Sequence, residues 1–292
     1  MIALLANLTS TRYEPGPFAA MAEQAGYAGV TCSDHYWVNE AFPHVWVSLA
    51  AMACSTRSVT VAPSFVNNLF RSPFEFAQAS VAMHRLSNGR YEAGLGAGWT
   101  EHELVATGQP FPPGPVRARR YREAILVVRE LLTTGGCSFQ GEYYTMNVPT
   151  LPSLRAPDIP IVASVGGPWT VRNITPLVDR VELKFGRTTR GGSLDLPALA
   201  SVTRDELIRM VAEVRTADPD VPIGLFLMMA VGRDPRVEAL QASMGDNLCS
   251  QFIGEPAKVL DNLHALEALG ISRVQLTEFV PRSIERLGEV LP

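Results

Sequence analysis

The chain has 292 residues, 47% hydrophobic and 18% charged, with a formal net charge of -4 at neutral pH. That length suits one large domain or two modest ones, and a domain this large buries roughly 75% of its unfolded surface without disulfide or metal staples. The mild negative charge argues against non-specific binding to nucleic acid or to an anionic membrane.

Short apolar runs recur along the chain, each leading into a helix-like segment. IALLAN (2–7) reads as a strand, followed by a helix over 15–26 that ends at Gly26. YAGVTC (27–32) precedes a helix over 44–55, and VTVAPS (59–64) precedes one from Pro73 to Leu86. RYEAGLG (90–96) leads to the amphipathic stretch 116–133, where Tyr121, Ile125, Val128, Leu131 and Leu132 recur at helical spacing between Arg and Glu. IPIVAS (159–164), RVELKF (180–185), VPIGLFLMM (221–229) and RVQLTEF (273–279) complete the strands, with helices predicted over 203–215, 256–269 and 282–290. Continuous apolar strands are the mark of parallel sheets buried on both faces. Eight β/α units predict an α/β fold of the (β/α)8 TIM-barrel type, with a doubly wound sheet as the alternative.

Two segments depart from a plain barrel. Residues 135–158 are rich in Gly, Pro and Tyr and predict an excursion between helix four and strand five. Residues 186–202 are polar and glycine-bearing after strand six and predict a lid. Neither reads as a linker, so a single domain over 1–292 is expected.

Cys32, Cys54, Cys137 and Cys249 are far apart and form no CxxC pair, which reads as free thiols in a reducing cytoplasm. The opening MIALLANLTSTRYEPG has no basic n-region, so no signal peptide is expected in it. The longest apolar run, 221–232, is too short to span a membrane. A cytoplasmic protein is the expectation.

In a TIM barrel, functional residues gather at the C-terminal strand ends. There the chain has Asn7, then Ser33, Asp34 and His35, then Ser64 and Phe65. Gly96, Gly98 and Trp99 follow with Glu101, His102 and Glu103, and then Ser164, Gly166, Gly167, Lys184, Arg187 and Glu278. Asp34-His35 pairs a group that titrates near neutrality with a carboxylate, as either proton-transfer chemistry or a loop histidine beside a helix cap. Glu101-His102-Glu103 lacks the spacing of a helical zinc motif, and no metal site is expected. GLGAGW is GxGxG with Trp99 where a Rossmann motif needs its third glycine, and it comes some 90 residues into the chain. Alternate glycines on a strand instead let a neighbouring backbone or a flat ligand approach. ASVGGPWT (163–170) opens a helix, whose N–H groups offer either an anion site or a bare tight turn. Lys184 and Arg187 add positive charge nearby, for a phosphorylated cofactor or an acidic substrate.

Together these residues resemble the luciferase-like superfamily of flavin- and coenzyme F420-dependent oxidoreductases. AEQAGYAGVTCSDHYW (22–37) carries the first part of the likeness. The strongest part is 57–103, with Arg71, Pro73, Leu86, Ser87, Gly89, Arg90, Gly94, Gly96, Gly98, Trp99 and Glu103. GEYY (141–144), Asp179 and residues 253–276 continue it. The resemblance implies a bacterial-luciferase-like barrel with the flavin or deazaflavin ring at the strand ends and its phosphate tail near strands five and six. Asp34-His35 and the GLGAGW…E pattern resemble the F420-dependent branch, which implies coenzyme F420, with FMN as the alternative. The implied activity is hydride transfer between coenzyme F420 and a small organic substrate; the alternatives are an FMN-dependent monooxygenase and a non-catalytic cofactor-binding barrel. His35 and Glu103 are implied as catalytic. Asp34, Ser64, Phe65, Asn67, Gly96, Gly98, Gly166, Gly167, Lys184 and Arg187 are implied as cofactor contacts, with Arg190 a further cation for the tail. Ser64-Phe65 occupies the place where the family often carries a non-prolyl cis peptide. A homodimer is the family's usual assembly. Strand six departs from the family pattern, with Asp179-Arg180-Val181 where Ala-Asp-Gly is usual, and so is expected to line a different pocket.

Overall fold

A computed structural model describes residues 1–37, 40–189 and 192–292. The first half runs β1 (Ala3–Leu8), α1 (Pro15–Gln24), β2 (Gly29–Cys32), α2 (Val45–Ser55), β3 (Thr60–Pro63), β4 (Val66–Asn67) and α3 (Pro73–Leu86). Next come β5 (Ala93–Gly96), α4 (Glu101–Ala106), α5 (Gly114–Thr134), β6 (Cys137–Gln140), β7 (Thr145–Val148), β8 (Ile161–Val165) and α6 (Pro168–Ile174). The remainder is β9 (Arg180–Leu183), α7 (Leu196–Ala200), α8 (Arg204–Ala217), β10 (Ile223–Val231), α9 (Pro235–Met244), β11 (Ile253–Gly254), α10 (Pro256–His264), β12 (Ile271–Glu278) and α11 (Ser283–Gly288).

The main sheet is parallel, in the order β3-β2-β1-β12-β10-β9-β8-β5-β4. Its two ends are halves of one interrupted strand, since β3 and β4 flank the Ser64-Phe65 peptide bond, which is cis. β4 pairs with β5, and a parallel bridge from Val61 to Tyr91 brings β3 to the same neighbour. The sheet therefore closes, and the eight β/α units form a TIM barrel.

Local chemistry sets the element ends. The Ser72 hydroxyl accepts from the Glu75 amide, and Pro73 supplies a pre-set φ at the start of α3. α5 buries Tyr121, Ile125, Val128, Leu131 and Leu132 on one stripe and stops at Gly135, whose φ of 82° is left-handed. The first predicted excursion is the antiparallel hairpin β6–β7, whose turn is held by the Glu123 carboxylate accepting from the Glu142, Tyr143 and Tyr144 amides. The second contains a 3-10 turn at Gly186–Thr189 and α7; Arg190, expected to serve a cofactor tail, lies outside the described residues. The pattern did not predict α9, because it buries only Val237 and Met244 and so has no apolar stripe to read. Among the described residues no helix is long and apolar enough to cross a membrane.

The barrel interior is partly polar. Arg273 on β12 donates from Nε to Glu182 on β9 at 2.6 Å and from Nη1 to Glu92 at 2.5 Å. Arg273 and Glu182 are both buried. Gly224 on β10 leaves the room this cluster uses, since a Cβ there would collide with the Glu182 carboxylate.

Candidate active site

The glycines of β5 owe their bareness to the interrupted third strand. A Cβ on Gly94 would collide with the Pro63 carbonyl and come within 3.1 Å of the Phe65 ring, and one on Gly96 would sit 3.2 Å from Phe65 Cβ. Gly98 has a φ of +80°, which a side chain tolerates poorly, and a Cβ there would collide with the Asn67 side chain. The close approach these glycines permit is that of the protein's own residues 63–69. Gly96 and Gly98 border the cleft, but the space their side chains would take is already filled by protein.

The same segment is tied to the end of β2. Asp34 is buried, and its Oδ2 accepts from the Asn67 amide at 2.9 Å and from the Arg71 guanidinium. Burial pushes its carboxyl pKa upward, while Arg71 and the Asn67 amide favour the charged form. Asp34 is thus occupied as a strut. Asn67 Oδ1 in turn accepts from the Leu69 amide at 2.9 Å.

His35 and Glu103 meet across the barrel mouth, 68 positions apart in the chain. His35 Nδ1 lies 2.8 Å from Glu103 Oε2, and Glu103 Oε1 accepts from the Tyr36 amide at 2.6 Å and the Trp37 amide at 3.1 Å. Burial works to raise the Glu103 pKa, but the His35 hydrogen bond and charge and the Trp37 amide outweigh it, and the carboxyl sits below its ordinary range. With Glu103 ionised, Nδ1 carries the proton and Nε2 is the ring nitrogen available elsewhere. The ring is held edge-on by Trp99 at 5.6 Å and Phe42 at 6.3 Å between centroids.

One correction follows for Glu103. It was expected as a catalytic carboxylate, yet it is fully buried behind His35 and lines neither arm of the cleft. Its carboxylate contacts the imidazole and the Tyr36 and Trp37 amides.

The cleft has two arms. The first, about 780 Å³, runs past Asn67, Gly98, Arg117, Gly166, Trp169 and Arg187. The second, about 890 Å³, runs past Thr9, Phe226, Cys249, Thr277, Glu278 and Phe279. His35, Ser64, Trp99, Thr100, Lys184 and Thr189 belong to both, so they mark the junction. Phe65 borders the first arm, and Ser64 Oγ is buried with no hydrogen-bond partner.

Other expected contacts have prior engagements. The Gly166 and Gly167 amides both turn to Thr170 Oγ1, at 3.4 and 3.1 Å, so an incoming anion competes with that hydroxyl. A Cβ on Gly166 would lie 2.5 Å from the Lys184 carbonyl, whereas Gly167 opens outward. The Arg187 guanidinium lies on the wall of the first arm but bonds Glu206, the Ala198 carbonyl and Ser201 Oγ. Lys184 differs: its Nζ lies 5.0 Å from the Phe65 ring centroid and 4.3 Å from that of Phe226, with no hydrogen-bond or ion-pair partner among the described residues. Among these residues no group of three His, Cys, Asp or Glu side chains could hold a metal ion.

Phe226, Thr277, Phe279 and Arg71 had not been assigned site roles. Phe226 lies in a continuous apolar run, and only the alternation of half-buried Phe226 and Met228 with buried Leu225 and Leu227 distinguishes a cleft-facing side. Arg71 was marked only by the family likeness of 57–103, and nothing in its neighbourhood announces Asp34 as its partner.

The pattern of the family described as Luciferase-like monooxygenase matches residues 14–189. An F420-dependent glucose-6-phosphate dehydrogenase of Amycolatopsis mediterranei is 33% identical over 156 residues, which are 52% of this chain and 47% of that protein. One from Intrasporangium calvum is 33% identical over 68% of this chain and 64% of its own length. One from Beutenbergia cavernae is 31% identical over 94% and 75%. The chain thus spans about half to two thirds of the first two relatives. Among solved structures, an F420-dependent secondary alcohol dehydrogenase in complex with an F420-acetone adduct superposes with a TM-score of 0.77 at 20% identity, over 100% of this chain and 98% of that one. The monooxygenase RslO1 from Streptomyces bottropensis gives 0.78 at 17%, over 99% and 98%, and these two likenesses concern the fold. With the family's pattern covering more than half of its length on this barrel, the chain belongs to the luciferase-like monooxygenase family.

Proposed function

We propose that the chain is a coenzyme F420-dependent oxidoreductase that exchanges a hydride with a small organic substrate at the C-terminal mouth of the barrel. The observation that carries this reading is the His35–Glu103 pair at the junction of two arms. A two-armed cleft suits a long cofactor in one arm and a second reactant in the other, with the exchange at their meeting point. The F420-dependent relatives at 31–33% identity favour the deazaflavin over FMN.

The residues fit such a group. Ser64 Oγ, buried and unpartnered, is a polar atom left for a flat ring beside Phe65. The first arm passes Gly166 and Gly167, where a phosphate could take the place of Thr170 Oγ1. When bound, the cofactor supplies a two-electron hydride donor or acceptor. The protein's part is to hold the imidazole: Glu103 keeps the proton on Nδ1, and Nε2 is free to give or take the proton that accompanies hydride transfer at a carbonyl or hydroxyl oxygen. Trp99 and Phe42 limit the ring's rotation.

Titration with coenzyme F420 and FMN side by side, followed by absorbance and fluorescence, tests the cofactor. Binding of F420 and not FMN is expected, and the reverse would overturn the reading. His35→Ala should abolish turnover with F420 affinity kept within a few fold; unchanged turnover would remove His35 from the chemistry.

A further inference from the structure

Glu182 and Lys184 stand two positions apart at the end of strand six and thus share the same side of the barrel wall. The first is answered by Arg273, and the second by no anion among the described residues. The Lys184 ammonium instead lies between the Phe65 and Phe226 rings, at the junction of the arms. Burial depresses its pKa to about 8 despite the Glu182 charge below it. An ammonium without a counter-ion, held over aromatic faces in a cleft, is completed by an anion that arrives with a ligand.

The second arm indicates which anion. Its walls mix apolar side chains, among them Leu199, Phe226, Met228 and Phe279, with hydroxyls such as those of Thr9, Ser33, Thr188 and Thr277. Its other charged side chains among the described residues are Glu40, Glu278 and Arg12, and Arg12 and Glu40 are exposed. A phosphate dianion would face one inner cation, Lys184, beside the carboxyl group of Glu278. A single carboxylate on an apolar body matches one ammonium set among aromatic and aliphatic side chains.

We propose that Lys184 is a specificity-determining residue of the second arm, taking the carboxylate of a small, otherwise apolar organic acid. This rests on the two-armed oxidoreductase reading above, in which the second arm holds the substrate. Of the two readings the sequence left open for Lys184, a phosphorylated cofactor or an acidic substrate, it takes the second.

The test is calorimetric titration of the purified protein with benzoate, benzamide and phenyl phosphate, with and without coenzyme F420. Benzoate is expected to bind at least tenfold more tightly than benzamide and no less tightly than phenyl phosphate. Lys184→Met, which keeps an apolar stem between the two rings, should weaken benzoate at least tenfold while benzamide and F420 stay within about twofold. Lys184→Arg should restore most of the loss. No benzoate binding by the wild type, equal benzoate binding by Lys184→Met, or phenyl phosphate tenfold tighter than benzoate would each overturn the proposal. A loss of F420 affinity in Lys184→Met would overturn it too, by giving the lysine to the cofactor. Failure of F420 to bind while benzoate still depends on Lys184 would sink the cofactor reading and leave the carboxylate site standing.

Discussion

The barrel holds two buried charge clusters that differ in one respect. Deep inside, Arg273 is ion-paired with Glu182 and Glu92, so its charge is balanced within the fold, although Arg273 Nη2 and Glu182 Oε2 have no hydrogen-bond partner. At the mouth, Glu103 is matched by His35 and two amides, but the Lys184 ammonium lies between two aromatic rings with no hydrogen-bond or ion-pair partner among the described residues. Burying a charge is costly unless it is paired. The closed cluster is therefore structural, and the open one is where the molecule keeps unsatisfied electrostatics for a guest.

Removing charge from each cluster should separate the two roles. Arg273→Met leaves Glu182 and Glu92 without the guanidinium that pairs them, with Arg180 as the remaining nearby cation, and should cost about 3–5 kcal/mol in denaturant unfolding. Its effect on F420 affinity in the protein that remains folded should be small. A loss below 1 kcal/mol would show that the inner cluster is not the strut described.

Glu103→Gln should lower turnover by about 10²–10⁴-fold, the range of general acid–base assistance, with cofactor affinity kept. Steady-state rates beside an F420 titration check this, and equal loss of both would make Glu103 a binding residue. The pKa of Glu103 is lowered on folding, so its ionised, hydrogen-bonded form contributes stability above the ordinary carboxylate range that is lost as pH falls through the lowered value. The acid limb of stability should be weaker in the glutamine variant.

Gly94→Ala forces a methyl group against the Pro63 carbonyl and the Phe65 ring, and should cost about 1–3 kcal/mol by thermal unfolding. A neutral result would mean that the third strand yields easily. The smallest effect belongs to Lys184→Met, which removes a half-buried ammonium with no ion-pair partner among the described residues and should leave stability unchanged within about 1 kcal/mol or raise it. A marked loss would reveal a partner for Lys184 within the fold and erase the contrast between the clusters.

The eight strands and most of the helices were legible because buried parallel strands are nearly uniform in apolar character and the long helix α5 has a clear stripe. Helix α9 was not legible, because its buried positions, Val237 and Met244, are too few and too far apart to make a period. Asp34 and His35 sit side by side in the chain, yet one props Arg71 and the other faces the cleft. Nothing in the dipeptide distinguishes them, since each role is set by a residue from another unit of the barrel. Glu103 was found as a residue and misjudged as a surface of contact for the same reason: its depth depends on where residues 35–37 pass over it.

By itself, then, the sequence determined the barrel, the strand ends at which chemistry gathers and the family likeness of residues 57–103, because these depend on local periodicity and on motifs read in order. Tertiary structure alone decided that the β5 glycines make room for residues 63–69, that Arg187 is spent on Glu206 and that Lys184 lies between two rings with no ion-pair partner among the described residues. Those outcomes rest on which charges and side chains from distant strands come within a few ångströms, and closing the barrel is what brings them there.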